Sequence, residues 1–190
     1  HHPAMPVGAE EGIRRGIYKL ESHVGEKAKV QLLGSGTIMN EVRKAAEILS
    51  EDYGVGSDVF SVTSFNELAR DGQDCERYNM LHPMAEEKVP YIATVLGTAP
   101  AIAATDYIKN YADQVRSFVP AVSYKVLGTD GFGRSDSREN LRRHFEVNAG
   151  YIVLASLREL AKRGEIDKQL VADAIARFGI DTNKTNPLYA

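Results

Sequence analysis

The sequence is poor in the residues that mark several common classes of protein. Its 190 residues include one cysteine, Cys75, and no tryptophan. A single cysteine excludes an intramolecular disulfide and is typical of a reducing compartment, so we expect a cytoplasmic protein. The longest apolar runs, such as residues 151–157, are far shorter than the ~20 residues of a membrane span. No basic and apolar leader opens the chain, and we expect no membrane partner.

The chain also has little net charge. It carries 23 Lys and Arg against 26 Asp and Glu, which gives a formal charge of -3, and the basic residues are scattered among the acidic ones. This distribution lacks the electrostatic footprint of nucleic-acid binding, so we expect no nucleic-acid partner. A composition of 43% hydrophobic and 26% charged residues is typical of a globular domain. A chain of this length can form one core without help from a metal or a disulfide.

The first twelve residues differ in composition from the rest of the chain. They are rich in Pro, Gly and Glu and have neither helical nor strand periodicity. We therefore expect residues 1–12 to be a lead-in or linker and residues 13–190 to be a single domain. His1 and His2 could be the remnant of a tag, and the first residue is not Met. These features suggest a fragment of a longer protein.

Hydrophobic periodicity predicts alternating strands and helices. Strands are expected at residues 17–21, 29–33, 58–62, 101–105 and 124–127, and apolar stripes predict helices at 37–53, from 65, near 91–96, 106–118, from 137, 148–163 and 168–178. The side chains of Ser64, Asp106, Asp136 and Asp167 are expected to cap four of these helices. Strands alternating with helices predict an α/β fold in which helices cover both faces of a mainly parallel sheet.

Most candidate sites in this sequence have a plain structural explanation. Gly34-Ser35-Gly36 lies between a strand and a helix, but Met39 stands where a dinucleotide fingerprint has its third glycine, so we favour a tight turn over phosphate binding. None of the five His has metal-ligand spacing. The helix with Arg138, Arg142 and Arg143 is expected to have a solvated face, with an acidic partner domain as the alternative. We assign no catalytic, cofactor-binding or metal-binding residue to this chain.

The segment from Asp130 to Arg138 is harder to explain by structure alone. Two glycines flank Phe132 at the carboxyl end of a predicted strand, where α/β proteins place their sites. A capped helix with a glycine turn would account for Asp136 and the glycines, but not for an exposed aromatic residue beside an arginine, which is typical of an interface. The candidate residues are Asp130, Phe132, Arg134, Ser135, Asp136 and Arg138.

Three segments of the sequence resemble one enzyme family. They are KVLGTDGFGRSDSRENLR at 125–142, VTSFNELARDGQDCER at 62–77 and ELAKRGEID at 159–167. All three are similar to the C-terminal domain of the bacterial homodimeric pyruvate dehydrogenase component, and the resemblance runs from about Pro3 to Ala190. The Phe132-Gly133-x-Ser135 core is also similar to a loop in the matching domain of transketolase. Transketolase is the lesser alternative, because the Asp-Gly-Gln-Asp-Cys-Glu segment is typical of the pyruvate enzyme.

The resemblance implies both a fold and a reaction. The fold is a three-layer αβα sandwich with a five-stranded mixed sheet, like the transketolase C-terminal domain. The family enzyme is an oxidoreductase between glycolysis and acetyl-CoA: it decarboxylates pyruvate on thiamin diphosphate and Mg²⁺ and transfers acetyl to the lipoyl group of dihydrolipoyl acetyltransferase. In the family, a Gly-Asp-Gly motif with a downstream Asn, and a Glu, hold the cofactor on two earlier domains, and these 190 residues contain no such motif.

A structural and assembly role within a homodimer is therefore implied, and we expect this chain alone to be inactive. The loop from Asp130 to Arg138 would lie against a neighbouring domain or at the rim of the active site. Phe132 would be its apolar anchor, and Arg134 and Asp136 would form polar contacts. The alternative from another class is an autonomous flavodoxin-like binding or regulatory module that uses residues 34–37 for a phosphorylated ligand.

Overall fold

The computed structural model describes residues 5–190. Five strands form one sheet: β1 (Ile17–His23), β2 (Ala28–Gly34), β3 (Val55–Val62), β4 (Ala101–Ala104) and β5 (Tyr124–Leu127). The α-helices are α1 (Glu10–Arg15), α2 (Met39–Tyr53), α3 (Phe65–Leu81), α4 (Tyr91–Val95), α5 (Lys109–Asp113), α6 (Arg138–His144), α7 (Ala149–Lys162) and α8 (Lys168–Arg177). Short 3₁₀ helices lie at Gly36–Ile38, Arg116–Phe118 and Pro187–Tyr189. None of the helices within residues 5–190 has both the length and the apolar character needed to cross a bilayer.

The strands are ordered β1-β3-β2-β4-β5 in the sheet. β1 runs antiparallel to β3, and the other three pairings are parallel. The predicted mixed, mainly parallel sheet is therefore confirmed. The carboxyl ends of β2, β4 and β5 lie side by side, because Gly34 is in register with Ala104 and Ala104 with Leu127.

Helices cover both faces of the sheet, as the three-layer prediction requires. On one face, buried residues of α2 and α7 pack on the strands, and Val42, Leu49 and Ile152 are fully or almost fully buried. On the other face, residues from α3, α4 and the segment before β5 form a second apolar cluster, which includes Phe65 and Leu68. The described residues thus supply an apolar core on each face of the sheet from within this chain.

The stretch expected to be a lead-in is partly helical. Helix α1 begins at Glu10, so the prediction of no regular structure up to residue 12 is wrong for its last three residues. An ideal Cβ on Gly12 would lie 2.7 Å from the carbonyl oxygen of Ile17 and 2.7 Å from Cβ of Tyr18. The helix therefore packs on β1 through a glycine, and six residues are too few to show a helical period. His1 and His2 lie outside the described residues.

Two of the four predicted helix caps are confirmed. Ser64 Oγ accepts a hydrogen bond from the Glu67 N–H at 3.1 Å, and Asp167 Oδ1 accepts one from the Gln169 N–H at 2.8 Å. Asp106 does not cap a helix, and the helix predicted at 106–118 is instead the short α5 followed by a 3₁₀ turn. Ser137, rather than Asp136, caps α6. In both wrong cases the aspartate side chain accepts a different hydrogen bond, from the Thr37 hydroxyl in one case and from the Ser137 N–H in the other.

Candidate functional site

The segment from Asp130 to Arg138 leaves the carboxyl end of β5 as an exposed loop. Asp130 holds its start: Oδ1 accepts from the Lys109 N–H at 2.8 Å, and Oδ2 lies 3.3 Å from Lys109 Nζ. Gly131 has φ +108, and an ideal Cβ there would overlap the carbonyl oxygen of Pro187. Glycine is therefore required here for its conformation and for the close approach of the C-terminal 3₁₀ helix.

The end of the loop is fixed by hydrogen bonds around Asp136. Its Oδ1 accepts from the Ser137 N–H at 2.6 Å and from Asn140 Nδ2 at 2.8 Å. The pKa of the Asp136 carboxyl is lowered mainly by the hydrogen bond from Asn140 and then by that from the Ser137 N–H. The side chains of Arg134, Ser135 and Arg138 make no hydrogen bond or ion pair to any group in residues 5–190. Asp130 and Asp136 are thus bonded within the domain, whereas the polar groups of Arg134, Ser135 and Arg138 have no partner within residues 5–190.

Exposed apolar side chains gather around this loop. Phe132 is 80% exposed. The loop after β4 contacts the start of the same loop, because Thr129 N–H donates to the Tyr107 carbonyl at 2.9 Å. The C-terminal 3₁₀ helix contacts Gly131. We use the term apolar rim for the exposed residues of these three segments, which are Tyr107, Ile108, Phe132, Leu188 and Tyr189.

Arg142 lies beside the loop and is not part of a solvated face. Its side chain is only 10% exposed. Nη1 donates to Glu41 Oε1 at 3.0 Å, and Nη2 donates to Thr37 Oγ1 at 3.2 Å and lies 3.6 Å from Asp106 Oδ2. The prediction of a wet face is therefore wrong for Arg142, but Arg138 and Arg143 are exposed as expected. The sequence gives no local signal for this, since Glu41 is 101 positions away.

Asp106 and Glu41 are committed to the same cluster. Thr37 Oγ1 donates to Asp106 Oδ2 at 2.7 Å, which explains why Asp106 caps no helix. Glu41 Oε2 accepts from the N–H of Ala149, the first residue of α7, at 2.9 Å. The cluster therefore joins the turn before α2, the end of β4, and helices α6 and α7.

A cavity of about 400 Å³ opens between this cluster and the loop. We call it the arginine pocket. Three arginines and one aspartate line it, together with the apolar residues Leu141, Phe145 and Val147. Its full lining is Asp106, Thr129, Gly131, Gly133, Arg134, Arg138, Leu141, Arg142, Phe145 and Val147.

The other candidates from the sequence are structural. An ideal Cβ on Gly34 would lie 2.9 Å from Val42 Cγ2, so this glycine allows α2 to pack on β2.

His82 stacks on Tyr78 with ring centroids 4.2 Å apart. His144 is half-buried, and its pKa is lowered by burial and then by the positive charges of Arg134 and Lys184. Burial raises the pKa of Cys75, as expected for an unreactive thiol. Within residues 5–190, no three His, Cys, Asp or Glu side chains are grouped as metal ligands would be.

Comparison with known proteins decides the family. The model of the transketolase-like TK C-terminal domain matches residues 16–148. The chain belongs to the transketolase-like C-terminal domain family. Among solved structures, the transketolase of Campylobacter jejuni aligns with a TM-score of 0.55 at 18% identity, over 82% of this chain and 20% of that one. Transketolase from Leishmania mexicana aligns with a TM-score of 0.51 at 22% identity, over 80% of this chain and 19% of that one. These likenesses confirm the transketolase C-terminal-domain fold. The family match supports this reading over the flavodoxin-like alternative.

Closer sequence relatives of this transketolase-like domain carry another name. The pyruvate dehydrogenase E1 component of Escherichia coli (strain K12) is 72% identical over all 190 residues of this chain. The E1 component of Haemophilus influenzae is 63% identical over 99% of the chain. In each case the match covers 21% of the relative. This chain thus spans about a fifth of the length of the curated relatives it matches.

Proposed function

We propose that this chain is the C-terminal domain of a pyruvate dehydrogenase E1 component and that it serves assembly rather than chemistry. The observation that carries the proposal is the 72% identity to the Escherichia coli E1 component across the whole chain. Transketolase is less similar, at 22% identity or below in the two solved transketolase structures named for the fold. The enzyme of which this domain would be part is an oxidoreductase that works in the cytoplasm as a homodimer and passes acetyl groups to dihydrolipoyl acetyltransferase.

The apolar rim is the surface that we assign to the neighbouring domains. A large aromatic side chain that is 80% exposed, like Phe132, is a liability in a free domain and an anchor in an assembled one. Tyr107 and Tyr189, which are 63% and 79% exposed, extend the same surface. The part of the relatives that this chain does not cover, about four fifths of their length, would supply the partner domain. The rim would lie against another domain of the same polypeptide or at the border of the active site.

The structure refines the part that each loop residue plays in this proposal. Asp130 and Asp136 already accept hydrogen bonds within the domain, so we assign them to shaping the loop rather than to contacts across the interface. Phe132 does not line the arginine pocket, whereas Arg134 and Arg138 do. We therefore assign Phe132 and Ser135 to the domain interface and the two arginines to the pocket.

Thiamin diphosphate and Mg²⁺ would be held by the earlier domains of the enzyme, where the family carries its Gly-Asp-Gly motif. We propose that this chain alone binds neither and turns over no pyruvate. The test is to produce the 190-residue chain and the preceding part of the E1 component separately and to measure cofactor binding by calorimetry with Mg²⁺ present. Acetyl transfer to a lipoyl acceptor is then measured for each piece and for the mixture.

The expected result is no cofactor binding by this chain, together with acetyl transfer by the mixture that the preceding part alone does not show. Acetyl transfer or cofactor binding by the 190-residue chain would contradict the proposal and would direct attention to residues 34–37. Full activity of the preceding part without this chain would contradict the assembly role. A mixture with the F132A chain tests the rim directly, because the variant is expected to need a higher concentration for the same activity.

A further inference from the structure

The arginine pocket has a charge that the rest of the domain does not neutralise. Three arginines line it against one acidic residue, Asp106. Arg142 is already paired with Glu41 and lies near Asp106. Arg134 and Arg138 have no hydrogen-bond or ion-pair partner anywhere in the described part of the chain. Two cationic groups are thus left at the mouth of a cavity without a counterion from within residues 5–190.

The same cavity has an apolar wall. Leu141, Phe145 and Val147 line it beside the arginines. Its volume of about 400 Å³ exceeds what an isolated inorganic oxyanion would fill and falls within the ~300–1,000 Å³ of small-molecule sites. Small-molecule sites combine a mainly apolar lining with a few convergent polar groups, and this pocket has both.

Two further residues, Thr129 and Arg142, belong to the lining of the pocket. Thr129 lines the pocket at the start of the loop, and its Oγ1 donates to the Asp106 carbonyl at 2.9 Å. Arg142 Nε is buried and has no hydrogen-bond partner within the described residues. The rear of the pocket is therefore held rigidly by the Arg142 cluster, while Arg134 and Arg138 lie at its exposed side. Guanidinium groups match the planar and tetrahedral oxygens of carboxylates and phosphates, which favours an oxyanion.

We propose that the arginine pocket is a binding site for a small organic oxyanion. Its carboxylate or phosphate would lie between Arg134 and Arg138, and its apolar part would lie on Phe145 and the neighbouring aliphatic side chains. The inference goes beyond the proposed function, because it concerns a site that can be measured in the 190-residue chain whether or not the chain serves assembly. Binding measured on both the isolated chain and the full-length enzyme distinguishes a free anion from an acidic side chain of a neighbouring domain.

The probes are phenyl phosphate, which has both the charge and an apolar ring, and inorganic phosphate, which has only the charge. Calorimetry on the 190-residue chain at low ionic strength is expected to give tighter binding of phenyl phosphate than of inorganic phosphate. Added salt is expected to weaken both, because Arg134 and Arg138 are exposed to screening. The R134Q/R138Q double variant should bind phenyl phosphate about tenfold more weakly or worse, since at least one charge-assisted hydrogen bond is lost.

Arg143→Gln is the matched control. Arg143 is on the same helix as Arg138, is exposed, has no side-chain partner within residues 5–190 and does not line this pocket. Its substitution should leave phenyl phosphate binding unchanged. Each of these substitutions removes one positive charge. Weaker binding after substitution of Arg134 and Arg138 but not of Arg143 therefore indicates a site rather than general attraction to a basic surface. All these substitutions are on exposed side chains without partners in the described part of the chain, so the variants are expected to fold.

Several results would overturn the proposal. One is the absence of binding to the 190-residue chain, and another is equal weakening by R143Q and by single substitution of Arg134 or Arg138. A third is equal affinity for the two probes, which would mean that the apolar wall takes no part. The measurement is repeated on the full-length E1 component: binding there supports the proposal. Binding that is lost in the full-length enzyme overturns it, because the pocket would then be filled by the enzyme's own neighbouring domain.

Discussion

Arg142 Nη1 and Glu41 Oε1 lie 3.0 Å apart although 101 positions separate the two residues in sequence. The Arg142 side chain is nine-tenths buried, and the Glu41 carboxylate also accepts from the N–H of Ala149. One carboxylate therefore accepts hydrogen bonds from both an arginine of α6 and the first turn of α7.

Substitution of Glu41 by alanine should destabilise the domain. It leaves the buried Arg142 without its closest counterion and the Ala149 N–H without its acceptor. We expect a loss of about 2–3 kcal/mol in the free energy of unfolding, measured by urea titration. Glu51→Ala is the control, since Glu51 is exposed on the same helix and has no side-chain partner within residues 5–190. A loss below about 1 kcal/mol for Glu41→Ala would mean that the pair adds little.

Asp58 should make the stability of the domain depend on acid pH. Burial acts to raise its pKa, but hydrogen bonds from Lys19, Lys29 and Ser22 lower the pKa to about 2 from the ordinary 3.8. Because the folded pKa is the lower one, the stabilisation is fully present above pH 3.8 and is lost as the pH falls towards 2. Both lysines are half-exposed, so solvent screening reduces the effect to about 1 kcal/mol.

The variant that tests this is Asp58→Asn. At pH 7 it should be less stable than the parent chain by that amount, and the difference should shrink as the pH is lowered through the window from about 4 to about 2. Chemical denaturation at a series of pH values measures it. Asp74→Asn, at an exposed residue without a side-chain partner in the described part of the chain, should show no such trend. A constant difference between Asp58→Asn and the parent across this window would contradict the assignment.

Gly131→Ala should disturb the loop and the C-terminal 3₁₀ helix together. The residue has φ +108, and an added Cβ would overlap the Pro187 carbonyl. The conformation alone costs about 1–2 kcal/mol for alanine. We expect faster amide exchange of Leu188 and Tyr189 and lower stability. Gly133→Ala is the control, because nothing lies within 4 Å of a Cβ there and its φ is not positive. Unchanged exchange in Gly131→Ala would show that the two segments are not coupled.

Phe132→Ala should act only in the assembled enzyme. Because the side chain is 80% exposed, its removal should leave the unfolding of the isolated chain unchanged. In the full-length E1 component we expect a loss of about 2 kcal/mol in the stability of the interface and a lower unfolding temperature. Met84→Ala, at a residue that is 97% exposed and outside the apolar rim, is the control. Equal behaviour of the two full-length variants would remove Phe132 from the interface.

Most of the fold could be predicted because its signals are local. The strands and the long helices α2, α3 and α7 have hydrophobic periods that extend over enough residues to be recognised, and the Ser64 and Asp167 caps are encoded in nearby sequence. Asp106 and Arg142 could not be predicted in this way. An aspartate before an apolar stripe has the pattern of a helix cap, and an arginine on a helix with two other arginines has that of a solvated face. Their true partners, Thr37 in the 3₁₀ helix before α2 and Glu41 in α2, are brought to them only by the tertiary packing.

The candidate loop shows the same limit. Its place at the carboxyl end of β5 and the exposure of Phe132 could be inferred from the sequence. The arginine pocket could not, because its wall depends on how α6 packs against the chain before α7. The resemblance to a family implied the fold but no role for this cavity, so only the assembled tertiary structure could bring Arg134, Arg138 and Phe145 to one place.

The two outer strands bear on how the isolated chain would behave in solution. β1, at one edge, has a register irregularity between Lys19 and Glu21, and β5, at the other, is four residues long. Long, flat outer strands offer unpaired backbone groups to other copies of a chain, whereas a bulged or very short one gives few successive hydrogen bonds. Edge-to-edge aggregation is therefore disfavoured on both sides, and any self-association of the isolated chain should arise from its exposed aromatic residues.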